Sequence, residues 1–192
     1  MPDSSDHVLD AAERLFLERG YSGTRLRDLA DAIGIKQASL YHHAPGGKRE
    51  LWERVIDRTF DRHRENLTAA AETAPDLRGQ LMAMAAWILS QPSMNVIAMS
   101  ASGLPASPQP NASEMATRIY QGVMKPIDDV VQAAVRRGEA RATPPGLVAG
   151  MVVASLNAVV HLVESGVADR PALDVSADVI DVVLKGVYTP GS

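Results

Sequence analysis

The chain has 192 residues, 46% of them apolar and 22% charged, with a formal net charge of -4. That length can bury a real core, as one globular unit or as a small module joined to a larger one. The absence of cysteine excludes disulfides, thiolate catalysis and cysteine-based zinc sites, and the acidic balance excludes a whole-chain field for polyanions.

Ala, Val, Leu and Met dominate the apolar residues and only two are Phe, which favours helices over sheets. The apolar period is close to 3.6 nearly everywhere. Val8, Leu9, Ala12, Leu15 and Phe16 make one face of a first helix, capped by Ser5 or Asp6 and ended by Gly20. After a turn at Tyr21-Ser22-Gly23, Thr24 caps a second, short helix lined by Leu26, Leu29, Ala30 and Ile33, which Gly34 stops. A third helix fits Gln37 to His43, and Pro45-Gly46-Gly47 breaks it. From Lys48 a long helix carries Leu51, Trp52, Val55, Ile56, Phe60 and Leu67 on its apolar side and ends near Ala74-Pro75. Further helices are expected at about 77–90, 93–102, 113–138, 145–166 and 174–187. Pro126 predicts a kink or break inside the 113–138 pattern. "SASGLPASPQPNAS" reads as a mobile loop and "GEARATPPG" as a second break. No repeat and no strand is evident, so the fold class is all-α.

No acidic residue lies between Asp31 and Glu50, in a chain that is acidic overall. The first 65 residues hold 11 Lys and Arg against 12 Asp and Glu, so any nucleic-acid site here is a local patch. Ala30, Gly34, Ile35 and Leu40 follow the grammar of a helix-turn-helix: a small residue for close crossing, a Gly that can take positive φ, then two apolar anchors. The outward positions are Lys36, Gln37, Ala38, Ser39, Tyr41 and His42. These side chains suit phosphates and base edges, and none is negative. Two polar, solvent-facing helices around a Gly turn are the bland alternative.

The stretch "HVLDAAERLFLERGYSGTRLRDLADAIGIKQASLYHHAPGGKRELWERVI" resembles the DNA-binding domain of TetR/AcrR-family transcriptional regulators. The resemblance covers residues 7–56 and rests on "AAxxLFxxxGYxxT", "DLAxAxGI", "LYHH" and Lys48. It implies a three-helix DNA-binding domain at 1–47 and a larger helical domain for effector binding and dimerisation at 48–192. It also implies roles. Thr24 and Arg25 cap the second helix and approach phosphate. Lys36, Gln37, Ala38 and Ser39 open the recognition helix, while Tyr41, His42 and Lys48 contact the DNA backbone. The chain departs from the family at Lys36, where a Ser or Thr cap is common, at Ala44, where Phe is usual, and in "PGGK", one residue longer than "PSK". Losing the Phe ring is expected to loosen packing between the recognition helix and the long helix.

An effector site is expected in the Met-rich middle third. Its candidate residues are Met84, Trp87, Met94, Met99, Met115, Arg118, Ile119, Gln121, Asn157 and His161. Met-rich walls suit flat or greasy ligands, although ordinary core explains each residue singly. Small residues at Gly146, Ala149, Gly150, Ala154 and Ala158, with Val175, Val179, Val182, Val183 and Val187, mark 145–187 as a homodimer surface. Covering the subunit's own core is the alternative. His161 and Glu164 lie three apart on one face, but without a third ligand they read as pocket lining or a core pair rather than a metal site. No cofactor is expected. "PGGKRE" lacks the Gly spacing and the Ser or Thr of a P-loop, and there is no GxSxG elbow.

The start of the chain lacks a signal-peptide pattern, and no apolar run reads as a bilayer span; "GLVAGMVVASLNAVVHLVESG" is taken as a buried or interface helix. A cytoplasmic, non-enzymatic, ligand-responsive repressor of an inverted-repeat operator is the expectation. A helical small-molecule-binding protein without a DNA role, or a helical enzyme, is the rival.

Overall fold

The computed structural model describes residues 4–91 and 112–187. Among them every regular element is a helix. The order is α1 (Ser4–Gly23), α2 (Leu26–Ile33), α3 (Gln37–His43), α4 (Gly47–Ala71), α5 (Leu77–Ser90), α6 (Ala112–Ile119), a π-helical turn (Tyr120–Met124), α7 (Lys125–Arg137), α8 (Leu147–Glu164) and α9 (Ala172–Lys185). The expected helix at 93–102 and most of the expected loop at 100–113 lie outside the described residues.

Two compact units are present. The described part of the first is 4–59 with 112–115; that of the second is 60–91 with 116–187. The expected boundary falls at the start of α4, whereas the units divide that helix between Thr59 and Phe60.

In the first unit α1, α2 and α3 pack on the first half of α4. Val8, Leu9, Ala12, Leu15 and Phe16 are buried from α1, Leu29 and Ala30 from α2, Leu40 from α3, and Leu51, Trp52, Val55 and Ile56 from α4. The Phe16 ring meets the Trp52 ring edge-on at 5.0 Å, and Tyr21 meets Trp52 at 5.4 Å. Such edge-to-face pairs add about 0.5–1.5 kcal/mol each beyond area burial. Gly20 interrupts α1 with φ 68° and ψ 175°, so the expected stop is a kink followed by one more turn. Ser5 lies inside α1, and its Oγ accepts from Arg54 at 2.7 Å.

The second unit is built on Leu67, Leu77, Leu81, Met84, Ile127, Val131, Val152, Leu156, Ile180 and Leu184, all buried. Pro126 breaks the 113–138 pattern as expected, and the break is a π turn. A proline inside a helix lacks the N–H and clashes with the carbonyl four residues back. The helix widens instead: the Lys125 N–H donates to Tyr120 O, five residues back, and Pro126 then sits in the first turn of α7, where no N–H is needed. The turn presents Gly122 to α4, where a Cβ would lie 2.7 Å from the Cβ and Cδ1 of Phe60.

α8 has 18 residues with 28% of that stretch buried, and by length and composition alone it could cross a membrane, as some core helices could. Asn157 and His161 interrupt the apolar text without ending the helix, and Glu164 is its last residue.

Candidate nucleic-acid interface

The α2–α3 turn is built by Gly34. Its φ of 72° lies in the left-handed region, which a Cβ would disfavour. The Gly34 N–H donates to Asp31 O at 3.3 Å and the Ile35 N–H to Ala30 O at 3.0 Å, the paired bonds of a Schellman motif. Two carbonyls that α2 would leave unpaired are thereby satisfied, and α3 starts in a new direction. Ala30 is 1% exposed, so the crossing is as close there as its spacing implied.

α3 buries Leu40 and exposes the rest of its polar side. Lys36, Gln37, Ala38, Tyr41 and His42 are exposed, and Ser39 is half-buried. Among the described residues neither Lys36 nor Arg25 takes part in an ion pair. Arg19, Arg27 and Arg49 are each partly neutralised: Arg19 lies 3.7 Å from Asp28, Arg27 3.7 Å from Asp31, and Arg49 2.8 Å from Glu53. Arg25 and Lys36 thus leave positive charge at the start of α2 and the start of α3.

Thr24, Arg25 and Lys48 each make contacts within the domain. Thr24 is fully buried, and its hydroxyl is spent on Leu15 O at 3.1 Å and Gly20 O at 2.9 Å. It closes the end of α1. Arg25 is the N-cap residue of α2, and its backbone N–H donates to Asp28 Oδ2 at 3.0 Å. Lys48 also faces inward. Its ammonium donates to Tyr21 O at 2.6 Å and Thr24 O at 2.7 Å, and lies 4.1 Å from the Tyr21 ring centroid. Burial holds its pKa below the ordinary lysine value. With two of three donors engaged, Lys48 is an internal staple between α4 and the α1–α2 turn.

The other departures have local explanations. Ala44 is fully buried and its N–H donates to Leu40 O at 2.9 Å, so a methyl occupies the site where a ring was expected. Gly47 opens α4 with φ 67°, and a Cβ there would lie 3.5 Å from Leu26 Cδ1 and 3.6 Å from Tyr41 Cε1. The longer "PGGK" thus lets α4 begin in a left-handed conformation between α2 and α3.

The effector candidates separate. Met84 and Met115 are buried; Trp87, Arg118 and Ile119 are half-buried; Gln121 is exposed. Met94 and Met99 lie outside the described residues. Asn157 and His161 are exposed on α8, opposite the buried Val148, Val152, Leu156 and Val159. The His161 and Glu164 side chains are 90% and 60% exposed and 4.0 Å apart, so they are not a core pair. The sequence reading missed His63, which is 5% exposed and meets the Trp87 ring edge-on at 4.9 Å. Its signal was positional, since 63 falls on the apolar stripe of Ile56, Phe60 and Leu67.

Residues 8–55 match the family model for bacterial regulatory proteins of the tetR family. Residues 8–55 belong to that family. The match covers the helix-turn-helix and the staple that supports it, and this tetR-type domain also aligns with curated relatives. The transcriptional regulator LmrA of Bacillus subtilis is 35% identical over 74 residues, 38% of this chain and 39% of LmrA. The negative regulator of the biofilm operon icaADBC, IcaR of Staphylococcus aureus, is 43% identical over 56 residues, 29% of this chain and 30% of IcaR. Well under half of each relative is therefore spanned. The tetR-family fold extends further. SmeT, the repressor of the Stenotrophomonas maltophilia efflux pump SmeDEF, has a similar structure in its triclosan complex. Its TM-score is 0.68 at 20% identity, covering 97% of this chain and 92% of SmeT. Residues 8–55 therefore carry a tetR-type helix-turn-helix domain.

Proposed function

We propose that this regulator is a homodimeric repressor that reads an inverted-repeat operator with α3 and is released by a small, largely apolar effector. The observation that carries this reading is the exposed, acid-free side of α3. Lys36, Gln37 and Ala38 open it, Tyr41 and His42 continue it, and Leu40 holds it from behind. Gln37 is suited to bidentate base contact, whereas Lys36 and Arg25 supply charge for phosphates. The fit of SmeT to triclosan and the negative regulation assigned to IcaR favour repression with apolar effectors. Met84 and Trp87 are the described sequence candidates best suited to such a ligand, and His63 joins them as a polar group.

The dimer reading rests on the outer face of α8 and α9. Leu147, Met151 and Leu162 are 48%, 46% and 40% exposed, and Val182 is 69% exposed. Exposed Ala154 and Ala158 lie on the same side of α8 and let a second helix approach closely. This arrangement favours a four-helix interface over a bilayer span, because a span would carry Asn157, His161 and Glu164 into lipid. Val183 and Val187 are 6% exposed and serve the subunit's own core. Two-fold symmetry would set recognition helices roughly one DNA turn apart, about 34–36 Å. α4 runs through both units without a linker and is the route by which an effector would act. Emptying a nearly full operator needs about 5 kcal/mol of differential affinity.

The test is fluorescence anisotropy on DNA upstream of the regulator's own gene, at two salt concentrations and with competitor DNA. Tight, competitor-resistant binding that triclosan-like ligands weaken is the expected result. Equal, salt-labile binding to every duplex would refute operator reading.

A further inference from the structure

Arg54 of α4 bonds to two other helices at once. Its Nη1 donates to His43 O at 2.7 Å, and its Nη2 donates to Ser5 Oγ at 2.7 Å. Glu50 Oε1 lies 4.0 Å from Nη1, and Glu50 Oε2 accepts from the Gly46 N–H at 2.7 Å. Arg58 lies one turn further along α4 and pairs with α1, through Glu13 at 2.6 Å and Asp10 at 2.8 Å. Arg54 thus touches the recognition helix as well as α1.

His43 is the last residue of α3, and its carbonyl is among those a helix leaves without an internal partner. A cation at a helix C-terminus is also favoured by the helix dipole. α3 has 7 residues, so few contacts aim it. Leu40 anchors its middle, the Gly34 turn sets its first end, and the Arg54–His43 bond sets its last. The planar guanidinium fork fixes direction as well as distance, which a lysine ammonium does not.

We infer that Arg54 is a positioning residue for operator reading: it contacts no DNA and aims α3 by holding its C-terminal carbonyl against α4. The inference rests on the DNA-reading role proposed for α3. The guanidinium is 35% exposed, and both its terminal nitrogens are engaged within the protein. Because base contacts need tighter alignment than phosphate contacts, loosening the end of α3 should reduce discrimination before it reduces general affinity.

The experiment selects a preferred duplex for the wild-type protein from a random pool, then measures Kd for that duplex and for a scrambled one. Wild type, Arg54→Lys and Ser5→Ala are compared at several salt concentrations, with circular dichroism confirming that each is folded at the assay temperature. Arg54→Lys is expected to bind the selected duplex roughly ten-fold more weakly, the order of one mismatched base pair. Its affinity for the scrambled duplex and its salt slope should stay within about two-fold of wild type. Ser5→Ala, which leaves the His43 bond in place, is expected to discriminate as wild type does. Three results would overturn the inference. Unchanged discrimination in Arg54→Lys is one. Equal loss on both duplexes with a shallower salt slope is another, because it marks a direct phosphate contact. Matching loss in Ser5→Ala is the third, because it assigns the effect to α1. If wild type selects no duplex, the DNA-reading role itself fails, and this inference falls with it for that separate reason.

Discussion

Replacing Lys48 by Met tests which way this side chain faces. Met keeps most of the stem but removes an ammonium that donates to Tyr21 O at 2.6 Å and to Thr24 O at 2.7 Å. Hydrogen bonds to a charged group contribute about 1.5–3 kcal/mol each. The two share one ammonium whose partial burial already carries a desolvation cost, so the combined loss should be about 2–4 kcal/mol rather than the full sum. The contact with the Tyr21 ring, 4.1 Å away, adds roughly 0.5–1 kcal/mol. For a chain of this size each kcal/mol lowers Tm by about 2–4 °C, so a fall of roughly 5–15 °C is expected without DNA. The assay is thermal and urea denaturation at fixed protein concentration, since self-association would itself shift Tm. The salt dependence of DNA binding is measured alongside. If Lys48 were instead a phosphate contact, Lys48→Met would leave the DNA-free protein unchanged and reduce the salt slope by about 0.9. That pair of results would refute the staple.

Thr24→Val removes a buried hydroxyl from Leu15 O and Gly20 O, and a loss of about 1–3 kcal/mol in urea denaturation is expected. Gly122→Ala places a methyl 2.7 Å from Phe60. Overpacking of about 1–3 kcal/mol should exceed the gain of about 1 kcal/mol that Ala brings to a helix, so the melt should fall, and a rise would show that α4 and the π turn separate freely. Asp181 is held below the ordinary aspartate value of 3.8 by its hydrogen bonds to Arg78, at 2.6 and 3.1 Å. The folded value is the lower one, so this contribution is fully present above that ordinary value and is lost as pH falls through the folded one. Arg78→Ala should flatten that part of an acid-denaturation profile, by a small amount because the pair is exposed. Met151→Glu together with Val182→Asp should convert dimer to monomer in sedimentation velocity with the helix content retained, and a dimer that survives would move the interface elsewhere.

What the sequence determined by itself is the local part of the molecule. Helix spans such as 37–43 and 77–90 were legible because apolar period, Gly and Pro act within a few residues. The Gly34 turn and the acid-free outer side of α3 were legible for the same reason. Only tertiary structure decided the direction of side chains that lie at element ends or serve two elements. Thr24 and Lys48 carry polar groups that suit phosphate equally well, yet backbone carbonyls brought close by folding claim them first. Arg54 gave no local sign, because its partners Ser5 and His43 lie 49 and 11 residues away. Asn157 and His161 sit on a helix that is apolar nearly all round, so period alone left their face open, and burial of Val152, Leu156 and Val159 turned them outward. A sequence records which groups can hydrogen-bond or pack; which partner each one meets depends on contacts between residues far apart in the chain.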